Sequence, residues 1–232
     1  MKIHRFLGEF NFGKEEVELK DEKLVHQLAS VLRMKPGTKL ELVSSNGTVA
    51  LVELIKINPK IAEAKVLKLL QSKGDDRAVA LFVSILKREN FEWVVQKATE
   101  IGVTSITPLI SKRTVKTGLK EERLQKIITE ATEQSGRTTL LRLEKKQTFE
   151  EAANSTQNFN KSILFDESGD KVRSLGGGSE SVALFVGPEG GWDDSELITA
   201  RELGFAIISL GETTLRAETA AVVASYLGVS GL

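Results

Sequence analysis

Residues 182–220 read VALFVGPEGGWDDSELITARELGFAIISLGETTLRAETA. Val182 to Val186 is an apolar run with the length of one buried strand. Gly187-Pro188-Glu189-Gly190-Gly191 follows, with three glycines that let a ligand approach the main chain closely and a proline that stiffens the turn. Asp193 or Asp194 can cap a helix with Leu197, Ile198 and Leu203 on its buried side and Gly204 just past its end. Phe205 to Leu210 reads as a second short strand, ended by Gly211. Glu212 to Arg216 then leads into a last helix starting near Glu218 or Thr219. The two glycine-bearing loops leave the same ends of two strands, expected to be neighbours in a parallel sheet. Open α/β sheets hold ligands at that edge.

The loops restrict the ligand. A phosphate-binding Walker loop needs Lys followed by Ser or Thr, and a dinucleotide fingerprint needs Gly-x-Gly-x-x-Gly; neither is present. Gly187 to Ala200 contains no Lys or Arg. A nucleoside-like ligand with little negative charge fits better than a polyphosphate. On pattern alone, a pair of structural turns is the competing reading.

The rest of the chain divides in two. Residues 1–72 read as a small β-rich domain. Asp21 caps a helix whose buried positions are Leu24, Val25, Leu28 and Leu32. Lys35-Pro36-Gly37 stops it. Strands Thr38–Val43 and Thr48–Ile57 flank Asn46-Gly47, a hairpin signal, and Ile61–Leu69 is a third strand. Polar Gln71 to Asp76 marks the boundary. From residue 73 to residue 232 strands and helices alternate, predicting a parallel sheet covered on both faces. Strands are expected at Ala78–Leu86, Ser105–Ile110, Leu140–Leu143 and Ser162–Phe165. Phe91, Val94, Val95, Ala98 and Ile101 line one helix, and Leu124, Ile127, Ile128 and Ala131 another. Ser174 to Ser181, with its three glycines, reads as a connector.

Composition excludes several chemistries. The 232 residues include no cysteine, so disulfides and thiolate metal sites are ruled out. His4 and His26 are the only histidines, which rules out a His-rich metal site and a Ser-His-Asp triad in the second domain. Charge balances at 32 basic against 32 acidic residues, but residues 1–72 carry a net +3 and the remainder −3. A local basic patch is what nucleic-acid binding needs. His26, Ser30 and Arg33 are spaced to share a helix face, and with Lys35 could meet phosphates. Gln134, Ser135 and Arg137 at a helix end could line an RNA cleft or cap the helix. Trp93 and Trp192 are possible platforms for stacked bases. The start of the chain has no apolar leader-like run, so a cytoplasmic location is expected.

Gly187-Pro188-Glu189-Gly190-Gly191 after an apolar strand, with Leu210-Gly211 and Leu215-Arg216-Ala217-Glu218-Thr219-Ala220, resembles the ribosomal small-subunit RNA methyltransferase E family. That family belongs to the SPOUT class of knotted methyltransferases. His26-Gln27-Leu28 with Val31 to Lys35, Lys97 to Val103, and Glu130-Ala131 with Glu133 to Arg137 resemble further family motifs, in the family's order. Thr213 and Ala217 stand where the family usually has Arg and Thr.

The resemblance implies an α/β fold: a PUA-like RNA-binding β-barrel over 1–72 and a trefoil-knotted SPOUT parallel-sheet domain over 73–232. Periodicity gives no hint of the knot. It implies S-adenosyl-L-methionine as cofactor, held by Val186, Gly187, Glu189, Gly190, Gly191, Leu210, Gly211, Leu215, Thr219 and Ala220. It implies a homodimer that methylates N3 of a uridine in 16S ribosomal RNA of the small subunit. Arg216 would stabilise the charge on the deprotonated uracil, and Glu218 would hold Arg216 or take the proton. RNA contacts are expected at Arg5, His26, Arg33, Lys35, Gln134 and Arg137. A SPOUT enzyme acting on another RNA, or an RNA-binding assembly factor without catalysis, are the alternatives.

Overall fold

The computed structural model describes residues 3–44, 47–70, 77–115, 117–172, 175 and 181–232. Asn46 of the expected hairpin, the expected boundary at 71–76 and most of the glycine-rich connector lie outside the described residues. The chain forms two compact units: Met1–Gly74 with Thr132–Thr139, and Asp75–Ala131 with Leu140–Leu232.

The first unit is a five-stranded sheet in the order β1-β3-β4-β5-β2, with β1 His4–Gly8, β2 Glu16–Leu19, β3 Lys39–Ser44, β4 Val49–Ile57 and β5 Ala62–Leu70. β3, β4 and β5 form the expected meander, and β1, not foreseen, pairs parallel with β3. Phe6, Val17, Leu40, Leu42, Val52 and Leu54 meet Leu24, Val25 and Leu28 in one core. Those three lie on α1 (Glu22–His26) and the wide π turn that continues it, Gln27–Val31. Asp21 caps α1 as expected, accepting the Lys23 and Leu24 N–H groups at 2.8 and 3.0 Å.

Leu32 departs from expectation. Leu32 N–H reaches back to the Gln27 carbonyl and Met34 N–H to the Leu28 carbonyl. The wider turn takes more residues per revolution than an α-helix, so the leucine periodicity slips. Leu32 is 37% exposed, and Met34 packs against the core instead.

The second unit is a parallel sheet ordered β12-β10-β11-β6-β7-β8, with β9 pairing β7. The central strands are β6 (Val79–Ser84) and β11 (Val182–Val186), buried at every residue. β7 (Ser105–Ile110), β8 (Arg142–Leu143) and β9 (Gln147–Thr148) lie on one side, β10 (Lys161–Lys171) and β12 (Ala206–Ser209) on the other. Side chains of a strand alternate between faces. Val79, Leu81, Val83, Val182, Leu184 and Val186 therefore meet α2 (Arg88–Ile101), α3 (Glu121–Ser135) and α6 (Ala217–Ser230) on one face. Ala80, Phe82, Ala183 and Phe185 meet α4 (Phe149–Ser155) and α5 (Asp194–Glu202) on the other.

The two glycine loops do not leave neighbouring strands. β10 pairs parallel with both β11 and β12 and lies between them. After β12 the chain crosses back, because α6 packs on β11, β6 and α2. Leu175, between β10 and β11, lies against the end of the chain: its N–H donates to the carbonyl of Leu232 at 2.6 Å. A chain end that returns past a residue between two earlier strands is what ordinary folds avoid and a knotted one requires. Small residues allow it. Ala217, Ala221, Ala224 and Gly228 face the sheet, and a Cβ on Gly228 would lie 2.6 Å from Leu184. Among the described residues no helix is long and apolar enough to cross a membrane.

Candidate active site

All strands of the second unit run parallel, so their carboxyl ends share one edge. β6 and β11 are neighbours, yet the helix after β6 covers one face and the helix after β11 the other. That divergence opens a crevice at the carboxyl edge, the place where such sheets bind ligands. The Gly187–Gly191 loop stands there. β12 is two strand spacings away from β11, roughly 10 Å, so the two glycine loops face each other across the end of β10.

The first loop is built by its own sequence and held from elsewhere. Val186, Gly187 and Pro188 are buried; Glu189 and Gly190 are exposed. Gly191 has φ +69°, which favours glycine, and its N–H closes the turn onto the Pro188 carbonyl at 2.9 Å. Trp192 is not a base-stacking platform. It is 3% exposed, its indole N–H donates to the Phe165 carbonyl at 3.0 Å, and its ring lies against Gly187 and Phe149. Asp193 caps α5 in a capping box: it accepts from Ser195, and Glu196 accepts the Asp193 N–H at 2.9 Å. Ile198 and Leu203, expected on the buried side of α5, are 53% and 41% exposed, and Glu196 and Ala200 are buried instead. The capping box turns Glu196 inward, where its other oxygen accepts the Lys112 N–H at 2.9 Å.

Lys112 and Arg113, after β7, are the residues the sequence reading missed. Arg113 Nη1 donates to the Gly190 carbonyl at 3.1 Å, and its Nη2 lies 3.7 Å from Asp193. Lys112 Nζ donates to Ser195 Oγ at 2.6 Å and lies 3.6 Å from Asp193. The Ser195 hydroxyl and N–H, then Lys112 and Arg113, hold the Asp193 carboxyl below its ordinary value. Lys87 N–H reaches Glu189 Oε1 at 3.4 Å, tying the loop after β6 to the loop after β11. These partners lie some 80 to 100 positions from the loop they brace, and local pattern carries no signal of that.

The second loop, Leu210 to Arg216, lies beside an irregular stretch of β10. Phe165 and Asp170 both align with Ile208, so Asp166 to Gly169 bulge out. Thr214 Oγ1 donates to Glu167 at 3.4 Å, and Lys171 pairs with Glu212. Gly169 presses on β12: a Cβ there would lie 2.6 Å from backbone atoms of Ile207 and Ile208. Arg216 is exposed and occupies the N-cap of α6 without a side-chain cap. The N–H groups of Gly211 to Arg216 have no protein acceptor among the described residues. Leu210, Leu215, Glu218, Thr219 and Ala220 are half-buried around this run of open donors. No hydrogen bond or ion pair joins Arg216 to Glu218 among the described residues. An uncapped helix start and open amides suit a ligand rich in acceptors, while Lys112 and Arg113 are engaged by Asp193 and Arg216 stands exposed. The set therefore fits a heterocycle with a small polar tail better than a polyphosphate.

The expected RNA-contact residues lie in the first unit. His26, Ser30, Arg33 and Lys35 are all exposed, and Arg33 has φ +49°, unusual for a residue with a Cβ. The π turn takes Arg33 off the helical face it was expected to share with His26. Arg5 is ion-paired with Glu41 at 2.5 Å and donates to the Arg137 carbonyl at 3.4 Å. Gln134 is exposed and Arg137 half-buried. The Glu133 carboxylate accepts the Leu7 N–H at 3.2 Å, so the 132–139 segment is fastened to β1.

A parallel α/β sheet whose carboxyl edge carries two glycine loops, a chain end that returns past an earlier connection, and likeness to solved S-adenosyl methionine-bound methyltransferases together place the chain in the SPOUT class of RNA methyltransferases. The RNA methyltransferase domain family matches residues 74–227, and the RNA methyltransferase PUA domain family matches residues 19–67. The ribosomal RNA small subunit methyltransferase E of Rickettsia conorii is 31% identical over 90% of this chain and 87% of its own. The crystal structure of the Neisseria gonorrhoeae ribosomal RNA small subunit methyltransferase E bound to S-adenosyl methionine superposes with a TM-score of 0.88 at 30% identity, covering 97% of this chain and 95% of that one. A Legionella pneumophila putative methyltransferase in complex with the same cofactor gives 0.86 at 26% identity, over 97% and 96%. The chain belongs to the ribosomal RNA small subunit methyltransferase E family.

Proposed function

We propose that this protein transfers a methyl group from S-adenosylmethionine to N3 of a uridine in small-subunit 16S ribosomal RNA. The observation that carries the reading is the pair of glycine loops at the crevice, one of which ends in the uncapped start of α6 at Arg216. Val186 to Gly191 and Leu210 to Ala220 would hold the cofactor, whose sulfonium is already an activated methyl donor. The chain's task is then chiefly alignment. Open amides of Gly211 to Arg216 hold acceptor atoms, and half-buried Leu210 and Leu215 line an apolar wall. Arg113 and Lys87 keep the first loop in place.

Arg216 stabilises the negative charge on the uracil oxygens as the N3 proton leaves. Its backbone is fixed by α6, and its side chain is exposed and unpaired among the described residues, so it reaches substrate without first breaking an ion pair. Glu218 takes the proton or orients Arg216. The exposed side chains of His26, Arg33 and Lys35 position the RNA through its phosphates.

Arg216→Ala should cost about 10²–10³ in the single-turnover methylation rate of small-subunit particles, roughly 2.7–4 kcal/mol. Cofactor binding by calorimetry should change much less. Arg216→Lys should recover little, because an ammonium lacks the planar fork. A near-normal rate for the Ala variant would remove Arg216 from the chemistry. Absence of calorimetric binding of S-adenosylmethionine by the native protein would overturn the cofactor assignment.

A further inference from the structure

A cavity opens at the start of α2, the helix that follows β6. It has a volume of about 340 Å³ and is lined by Arg88, Phe91, Glu92, Gly118, Leu119, Lys120 and Leu124. Small-ligand pockets begin at about this size. Its floor is apolar, made by Phe91 and Leu124, which are 1% and 2% exposed, with half-buried Leu119 beside them. Its rim is cationic: Arg88 is more than half exposed and Lys120 is exposed, and Arg123, which bonds the lining residue Glu92, is also more than half exposed. Inside lies one carboxylate. Glu92 Oε1 accepts the Nε–H of Arg123 at 2.7 Å and that of Arg88 at 2.9 Å. The Arg123 bond, then Arg88, holds Glu92 below the usual carboxylate range against the opposing effect of burial. Glu92 is therefore an acceptor, and Oε2 has no protein partner among the described residues.

We propose that this cavity holds a nucleotide of the RNA substrate, its base on the apolar floor and its phosphate on the Arg88 and Lys120 rim, with Arg123 beside it on Glu92. An apolar slot, one half-buried acceptor and cations at the rim match a flat base with an N–H donor attached to an anion. The nitrogens of Arg88 and Arg123 that do not bond Glu92 remain available to phosphate oxygens. Location agrees: the cavity lies at the start of α2, the residue before which, Lys87, bonds the Glu189 side chain of the first glycine loop. A nucleotide near the methylated one would anchor the strand while the crevice performs the chemistry. This inference rests on the RNA-substrate reading above.

Gly118 supplies the test. It is exposed, its φ lies outside the glycine-only range, and a Cβ there meets nothing within 4 Å. Gly118→Trp should fill the slot without strain. Binding of a short fluorescein-labelled oligouridylate by the full-length protein, followed by anisotropy, should weaken about tenfold or more, the loss expected for one stacked base. Lys120→Ala should make the log–log salt dependence shallower by about 0.7, the contribution of one phosphate on a single strand. Calorimetric affinity for S-adenosylmethionine should remain native in both. Oligouridylate affinity within twofold of native for Gly118→Trp, at an unchanged melting temperature, overturns the proposal. So does a loss of S-adenosylmethionine affinity, which would make the cavity part of the cofactor site, or a uridine monophosphate affinity equal to that of the oligomer, which would make it a mononucleotide site. Failure of the native protein to transfer methyl groups would instead remove the catalytic reading and leave the anisotropy result standing.

Discussion

Single residues hold the crevice in shape through contacts that do not tolerate added atoms. Gly169 is the clearest. Its missing Cβ would fall 2.6 Å from the carbonyl carbon and oxygen of Ile207 and the amide of Ile208. Backbone cannot step aside as a side chain tip can, so Gly169→Ala must push β12 away from β10. Overpacking of this kind costs about 1–3 kcal/mol, and a chain of this size then melts roughly 2–12 °C lower. Gly190→Ala is the control: its Cβ would meet only Arg113, at 3.6 Å. Thermal melts should separate the two variants, and a native melting temperature for Gly169→Ala would show that β12 yields without cost. Sequence reading singled out Gly190 and passed over Gly169, because a close approach between strands leaves no local mark.

At the scale of elements, helix starts connect folding to the site. The box at α5 joins Asp193 to the helix it begins and, through Lys112 and Arg113, to the loop after β7. The Asp193 carboxyl titrates below its ordinary 3.8. A group whose pKa is lowered by folding adds stability that is complete above its unfolded value and lost as pH falls through the folded one. Asp193→Asn keeps a capping oxygen but gives up the charge. Native protein should therefore melt above this variant at pH 7, and the gap should close as pH falls below 3.8. A gap of constant size from neutral to acid pH would assign the cap to geometry alone. The start of α6 is the opposite case: it has no side-chain cap, and the donors this leaves open face the crevice.

For the whole molecule, α6 poses a question that one copy does not answer. Ala217, Ala221 and Ala224 bury one side of it against the sheet, yet Val222 and Val223 are half-buried and Tyr226 is 56% exposed. A helix that is apolar all round is normally covered all round. We propose that a second copy supplies the cover and that the protein works as a homodimer. Tyr226→Glu should shift the sedimentation coefficient from dimer to monomer, because a charge facing an apolar contact without a partner is costly. A native protein that sediments as a monomer would remove the proposal.

The sequence by itself determined the alternation of strands and helices, the cap at Asp21, the positions of β6, β7 and β11, and the two glycine loops. Each of these is written in side chains that are neighbours along the chain, by a period of two or near four or by a turn residue that only one backbone shape accepts. The family resemblance was legible for the same reason, since its motifs are short and contiguous. Tertiary structure alone decided that β10 separates the two loops and that Trp192 is a core residue bonded to Phe165. It also decided that Lys112 and Arg113 brace the Gly190 turn, and that Glu92, Arg88 and Arg123 meet around a cavity. Strand order and long-range ion pairs depend on how elements bury their shared apolar faces. That energy belongs to the packed sheet and not to any stretch of chain within it.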